Sequence, residues 1–215
     1  MSQSQPVRST LYEAELPLDP LELFTDWLNE AKSAENVYEY NAFTLATATL
    51  DGKPAARVVL LRGYDQQGFC FYTNYESRKG KELTANPEVA LVWWWGALGR
   101  QIRVEGRCVA LTAAESDAYF HSRPLGSRLS TMVSPQSQVI ASRSQLEADQ
   151  QQFTARYVDQ PPPRPAWWGG YRVYPAVIEF WQSGPQRLHD RLRYTRRAED
   201  DWLLERLAPD RKSVV

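Results

Sequence analysis

The sequence predicts a mainly β (α+β) fold, an antiparallel barrel with helices packed outside it. Three observations carry this expectation. Short runs rich in β-branched and aromatic residues follow one another across turn dipeptides, as in AFTLATATL, AARVVLLRGY and FCFYTN. Helical patterns are few and do not alternate with the strands, which argues against βαβ units. The 215 residues, 43% hydrophobic and 24% charged, can build one core and still cover it with a polar surface.

The elements follow in order. Residues 1–16 are polar and read as a mobile arm, residues 17–209 as a single domain and residues 210–215 as a short tail. Asp19 as N-cap and Pro20 at the first helical position open a helix on which Leu21, Phe24, Leu28 and Ala31 share a face. Strands are predicted from about 42 to 74 as a meander, with Asp51-Gly52 as one turn. Ser77 caps a short helix that Asn86-Pro87 stops, and EVALVWWWGAL and RQIRVEGRCVAL form the next two strands. Thr112 and Glu115 make a capping box for a helix through YFHSRP, and a further helix covers about 144–158. DQPPPRP is a stiff linker, after which GGYRVYPAVIEFWQ, RLRYTRR and DWLLERL close the sheet.

Composition removes several classes of function. With 25 basic against 26 acidic side chains, the chain lacks the excess charge of a nucleic-acid binder. No apolar run approaches a membrane span, and the first residues lack the apolar stretch of a secretory signal, so a cytoplasmic protein is expected. Cys70 and Cys108 read as buried thiols, and two histidines cannot make a multi-histidine metal site.

What remains is a set of arginines in unusual places. Arg57 and Arg62 bracket RVVLLR, five apart, which puts them on opposite faces of a strand. Arg78 and Lys79 fall in the first turn of a helix, where they oppose the macrodipole unless an anion is bound there. Tyr119, Arg123 and Ser127 recur at four-residue steps along a helix continuing into a loop, able to converge on one anion. In RLHDR, read as strand, Arg187, His189 and Arg191 share a face with Asp190 on the other.

Taken together, RVVLLRGYD, GFCFYTNYESRKGKEL, RQIRVEGR, YFHSRPLGS, VSPQS, WWGGYRVYP, EFWQSGPQRLHDR and DWLLERLAP resemble the pyridoxine (pyridoxamine) 5′-phosphate oxidases, in family order from about residue 16 to 209. The resemblance implies a split β-barrel homodimer with FMN at each of two interfacial sites. It implies oxidation of pyridoxine or pyridoxamine 5′-phosphate to pyridoxal 5′-phosphate, with O₂ reduced to H₂O₂. The FMN contacts it implies are Arg57, Val58, Val59, Leu60, Leu61 and Arg62, then Tyr72, Thr73, Arg78, Lys79, Gln101, Gln136, Ser137, Trp181 and Arg191. The substrate contacts it implies are Arg62, Tyr119, Arg123 and Ser127 for the phosphate, and Arg187, Leu188 and His189 over the pyridine ring, with Arg187 and His189 as the catalytic pair. Arg62 stands where the family usually has lysine, Arg128-Leu129-Ser130 where it reads Gln-Ile-Gly, and Arg8 and Tyr12 are one residue wider than its Arg-x-x-Tyr. Two other functions use the same residue types: a flavin reductase on this barrel, and a non-catalytic binder of FMN or pyridoxal phosphate.

Overall fold

The computed structural model describes residues 10–157, 160–198 and 201–209. Helix α1 (Pro20–Ser33) precedes β1 (Ala42–Ala48), β2 (Pro54–Leu60), β3 (Gly63–Asp65) and β4 (Gly68–Asn74). Then come α2 (Arg78–Ala85), β5 (Glu88–Trp95), β6 (Arg100–Ala110), α3 (Ala113–Ser122), α4 (Leu125–Val133) and α5 (Arg143–Arg156). The chain closes with β7 (Trp168–Gln182), β8 (Asp190–Ala198) and β9 (Asp201–Arg206).

Among the described residues the nine strands form one antiparallel sheet, ordered β2-β1-β5-β6-β7-β4-β3, with β8 on β7 and β9 on β8. Strand β7, 15 residues long, organises it. One edge pairs with β6 along almost its whole length, while the other pairs with β4 over Trp168–Val173 and with β8 over Val177–Gln182. The sheet therefore forks at the middle of β7. On the first side it curls until β2 approaches β4, and the link after β2 is tied down where the Arg62 N–H donates to the Cys70 carbonyl at 2.9 Å. The result is a split barrel with helices outside.

Alternation along the strands fills the barrel. Phe43, Leu45 and Thr47 of β1 point inward, as do Val89, Leu91, Trp93 and Trp95 of β5. Helix α1 lays Phe24 and Trp27 over this interior: Phe24 meets Tyr64, Phe69 and Trp93 at 5.0, 4.9 and 5.3 Å, and Trp27 meets Phe180 at 5.2 Å. Each such edge-on pair adds about 0.5–1.5 kcal/mol beyond the apolar area it buries. The Asp19 carboxylate caps α1 at Leu21, as its sequence signature requires.

Four expectations change. Residues 125–133 are not a loop but α4, whose Leu125, Leu129 and Val133 repeat at helical spacing, the last two buried; Ser127 is therefore helical. RLHDR is not a strand through its length. Pro185–Arg187 is a tight turn, Gln186 and Arg187 both have positive φ (53° and 64°), and pairing starts only at Asp190. Arg57 and Arg62 do not face apart, because β2 ends at Leu60 and Arg62 lies beyond it. Residues 11–16 of the expected mobile arm are anchored: Leu11 and Leu16 pack on the core, and Glu13 pairs with Arg206 at 2.6 Å. Residues 1–9, with Arg8, and the tail 210–215 lie outside the described residues.

Candidate functional site

A cleft of about 560 Å³ opens where the curled sheet brings β2 opposite β4, with α2 at one end and the Gln136–Ser137 loop alongside. Eleven of the fifteen candidate cofactor residues line it: Arg57, Val58, Val59, Leu60, Arg62, Tyr72, Thr73, Arg78, Lys79, Gln136 and Ser137. Strand β2 pairs only with β1 among the described strands, so its other edge offers backbone donors and acceptors to the cleft. Leu61 does not line it; its side chain is in the core.

The cationic end of the cleft is built around α2. The Ser77 hydroxyl accepts from the Gly80 amide and caps the helix, which sets Arg78 and Lys79 in its first turn. Glu82, one turn later, holds the cations together. Its carboxylate accepts from Arg78 Nε at 2.8 Å, Arg57 Nη2 at 3.0 Å and the Thr47 hydroxyl at 2.5 Å. Burial pushes the Glu82 carboxyl up, but those three hydrogen bonds outweigh it and the net shift is downward. Lys79 is buried, its ammonium donating to Thr73, Ser77 and Gln136 at 3.2–3.4 Å. Burial first, and the Arg57 charge second, hold Lys79 below the ordinary lysine value, with Glu82 opposing. An anion in the cleft would offset the Arg57 charge and favour the Lys79 ammonium.

A second cavity, about 220 Å³, adjoins the first and shares Tyr72, Thr73 and Gln136 with it. Tyr119 of α3 stacks on Tyr72 at 3.7 Å, and both run nearly parallel to Trp168. Arg123 lies over the Trp168 ring at 4.8 Å and donates to Thr131 Oγ1 at 2.8 Å. Burial pulls the Arg123 guanidinium below its ordinary value, Tyr119 opposes this, and the charge of Arg62 adds to it. Arg62 lines the first cavity and Arg123 the second. Burial pushes the Tyr72 phenol up to about 12, so it stays neutral. Ser127 sits one turn before Thr131 on α4, its carbonyl accepting from the Thr131 hydroxyl at 3.0 Å. Glycines at 169 and 170 leave room for the neighbouring side chains: a Cβ at Gly169 would lie 2.1 Å from the Tyr75 hydroxyl and one at Gly170 2.5 Å from Leu111, so these side chains would have to shift.

The remaining candidates gather at the other end of β7. Gln101, Trp181 and Arg191 are direct neighbours across β6, β7 and β8, and His189 meets the Trp181 ring at 4.6 Å. Glu179 accepts from Arg191 Nε at 2.8 Å and from Arg103 at 3.3 Å. Arg187 and Leu188 are exposed. Gly170, beside Tyr72, and Trp181, beside Gln101, are eleven residues apart on one strand, roughly 36 Å along it. Within one chain the candidates thus form two separate groups. Glu82, Thr131, Trp168, Glu179 and Gly184 were not singled out from the sequence. The Arg78–Glu82 spacing of four was the one signal that marked any of them.

The cleft fits FMN on its own chemistry: a cationic helix terminus with a buried lysine for a phosphate, and a free strand edge for a polar ring rim. Comparisons with known proteins agree with the geometry. The family described as "Pyridoxamine 5'-phosphate oxidase" matches residues 30–157, and "Pyridoxine 5'-phosphate oxidase C-terminal dimerisation region" matches residues 168–209. The pyridoxine/pyridoxamine 5'-phosphate oxidase of Bordetella petrii is 54% identical over 202 residues, covering 94% of this chain and 95% of the relative. That of Thermosynechococcus vestitus is 55% identical, covering 94% of each. Among solved structures, PhzG from Burkholderia lata in complex with tetrahydrophenazine-1-carboxylic acid superposes with a TM-score of 0.86 at 35% identity, over 93% of this chain and 98% of that one. A pyridoxamine 5'-phosphate oxidase-related, FMN binding protein from Nostoc punctiforme shares the fold at a TM-score of 0.71 and 19% identity, over 90% of this chain and all of the other. This chain belongs to the pyridoxine/pyridoxamine 5'-phosphate oxidase family.

Proposed function

We propose that the protein is an FMN-dependent oxidase that converts pyridoxine or pyridoxamine 5′-phosphate to pyridoxal 5′-phosphate and reduces O₂ to H₂O₂. One observation carries the reading: a cleft lined by Arg57, Arg62, Arg78 and Lys79 adjoins a smaller cavity lined by Arg123, so the phosphate of a cofactor and the phosphate of a substrate each have a cation to meet. Arg57, Arg78 and Lys79 hold the first phosphate, with Thr73, Gln136 and Ser137 beside it and the β2 edge along the flavin. When bound, FMN supplies the two-electron acceptor and hands the electrons to O₂.

The chain's own residues do the placing. Arg123, backed by the Trp168 face and Thr131, holds the substrate phosphate with Tyr119, Ser127 and Arg62. That remote grip turns binding energy into orientation of the pyridine ring. Arg62 keeps the charge of the usual lysine but spreads it over a planar fork, which changes its reach to the phosphate. Gln101, Trp181 and Arg191 complete the flavin site, and Arg187, Leu188 and His189 close over the pyridine. Since these stand at the far end of β7, they come from a second copy of the chain, and the working unit is a homodimer. A flavin reductase would have no use for Arg123 in the adjoining cavity, and H₂O₂ release separates an oxidase from a passive binder.

PhzG is the neighbour that favours a second substrate class, a reduced tricyclic acid; it is 35% identical, against 54% for the Bordetella relative. The test is H₂O₂ release by FMN-loaded protein given pyridoxine 5′-phosphate, pyridoxamine 5′-phosphate or tetrahydrophenazine-1-carboxylic acid. Release with either phosphate and not with the acid is expected. Release with the acid alone, or with none, would overturn the assignment.

A further inference from the structure

We infer that Gly184 is a positioning residue that fixes the tautomer of His189, so that His189 meets its ligand as a hydrogen-bond donor from Nε2 and not as a proton acceptor. The inference rests on the proposed function for the identity of that ligand, a hydroxypyridine.

The Gly184 amide donates to His189 Nδ1 at 3.2 Å. A ring nitrogen that accepts an N–H carries no proton, so the single proton of the neutral imidazole sits on Nε2. The loop between them is built to hold this contact. Gln186 and Arg187 both take left-handed backbone, and the Leu188 amide closes back on the Pro185 carbonyl at 3.0 Å. The Ser183 amide anchors the entry by donating to the Gly99 carbonyl at 2.8 Å. Only glycine fits at 184: a Cβ there would stand 2.0 Å from the Leu188 carbonyl oxygen, a backbone atom that cannot move aside without moving the loop. The Trp181 ring packs against the imidazole at 4.6 Å with the two planes tilted by 41°. With Nδ1 engaged, Nε2–H is the group left to meet a ligand. It recognises an acceptor on the pyridine, such as its ring hydroxyl oxygen, and cannot take a proton from it.

Histidine-selective ¹⁵N labelling of the FMN-loaded protein tests the tautomer directly, because the chain has two histidines and a His121→Gln spectrum assigns them. For His189, an unprotonated Nδ1 and a protonated Nε2 are expected. The opposite tautomer, or a mixture of the two, would overturn the inference. Kinetics tests the role. His189→Gln keeps an amide N–H near the Nε2 position and should hold kcat/KM for pyridoxine phosphate within about tenfold. His189→Asn offers its N–H on the Nδ1 side and should lose about a further tenfold or more, with FMN content unchanged in both. Equal losses in the two variants would remove the donor role. Unchanged kcat/KM in both would remove His189 from the site, a failure of the proposed function that the NMR result would leave untouched. Gly184→Ala should mix the tautomers, and a single retained tautomer would show that Gly184 does not fix it.

Discussion

Glu82 lets three cations share one end of the cleft in a chain of net charge −1. Arg78 and Lys79 at the start of α2 oppose the helix dipole, and Arg57 comes in from β2; the buried carboxylate offsets part of that repulsion while leaving the cleft positive. Its carboxyl lies below the usual glutamate range, so it contributes stability above its unfolded value of about 4.3 and loses it as pH falls through the lower folded value. The melting difference between wild type and Glu82→Gln should therefore be largest near neutrality and shrink at acid pH. A difference that stays constant from pH 7 to pH 3 would contradict this. Arg78→Ala with Lys79→Ala should weaken FMN binding about tenfold or more, since each charged hydrogen bond lost is worth roughly 1.5–3 kcal/mol. Flavin fluorescence titration measures it, and an unchanged dissociation constant would mean that the phosphate is held elsewhere.

At the scale of elements, α3 and β7 do the positioning. Helix α3 carries Tyr119 and ends on Arg123, and its capping box is complete: the Glu115 amide donates to the Thr112 hydroxyl at 3.2 Å and the Thr112 amide to the Glu115 carboxylate at 2.9 Å. Thr112→Ala should cost about 1 kcal/mol of stability and lower the melting point without altering FMN content. A loss of flavin in that variant would mean that α3 also shapes the cofactor cleft. Elements whose signals are local were legible in the sequence: the Asp19-Pro20 start, the Ser77 cap and the Thr112 box all stand where they were read. Helix α4 was missed because Pro124 and the weak helix formers Gly126, Ser127, Ser130 and Thr131 mask an apolar stripe at Leu125, Leu129 and Val133. RLHDR was misread because strand alternation assumes extended backbone, whereas Gln186 and Arg187 turn left-handed before pairing begins. Arg62 joins Arg57 at the cleft because β2 stops two residues earlier, a boundary that hydrophobicity does not mark. Family order brought together eleven residues that the fold also gathers along one cleft. Their partners Glu82, Thr131 and Trp168 depend on contacts between distant segments, which no local pattern encodes.

At the scale of the whole molecule, the length of β7 separates the two groups of candidate residues. It holds Trp168 by the cleft and Trp181 by the closing loop, too far apart to serve one small substrate. On the proposed function each active site draws one half from each of two chains, which makes subunit complementation the most direct test. Arg123→Ala removes the phosphate grip from one half, and Arg187→Leu removes the planar cation from the other. Each variant alone should release H₂O₂ from pyridoxine phosphate at least about tenfold more slowly than wild type at low substrate. Unfolded together and refolded as a mixture, they should form mixed dimers in which one site carries both changes and the other carries neither. Activity should then rise toward about a quarter of the wild-type value, since half of the dimers are mixed and half of their sites are intact. A mixture no more active than the average of the two variants would show that Arg123 and Arg187 serve the same site from the same chain, or that they do not share a site.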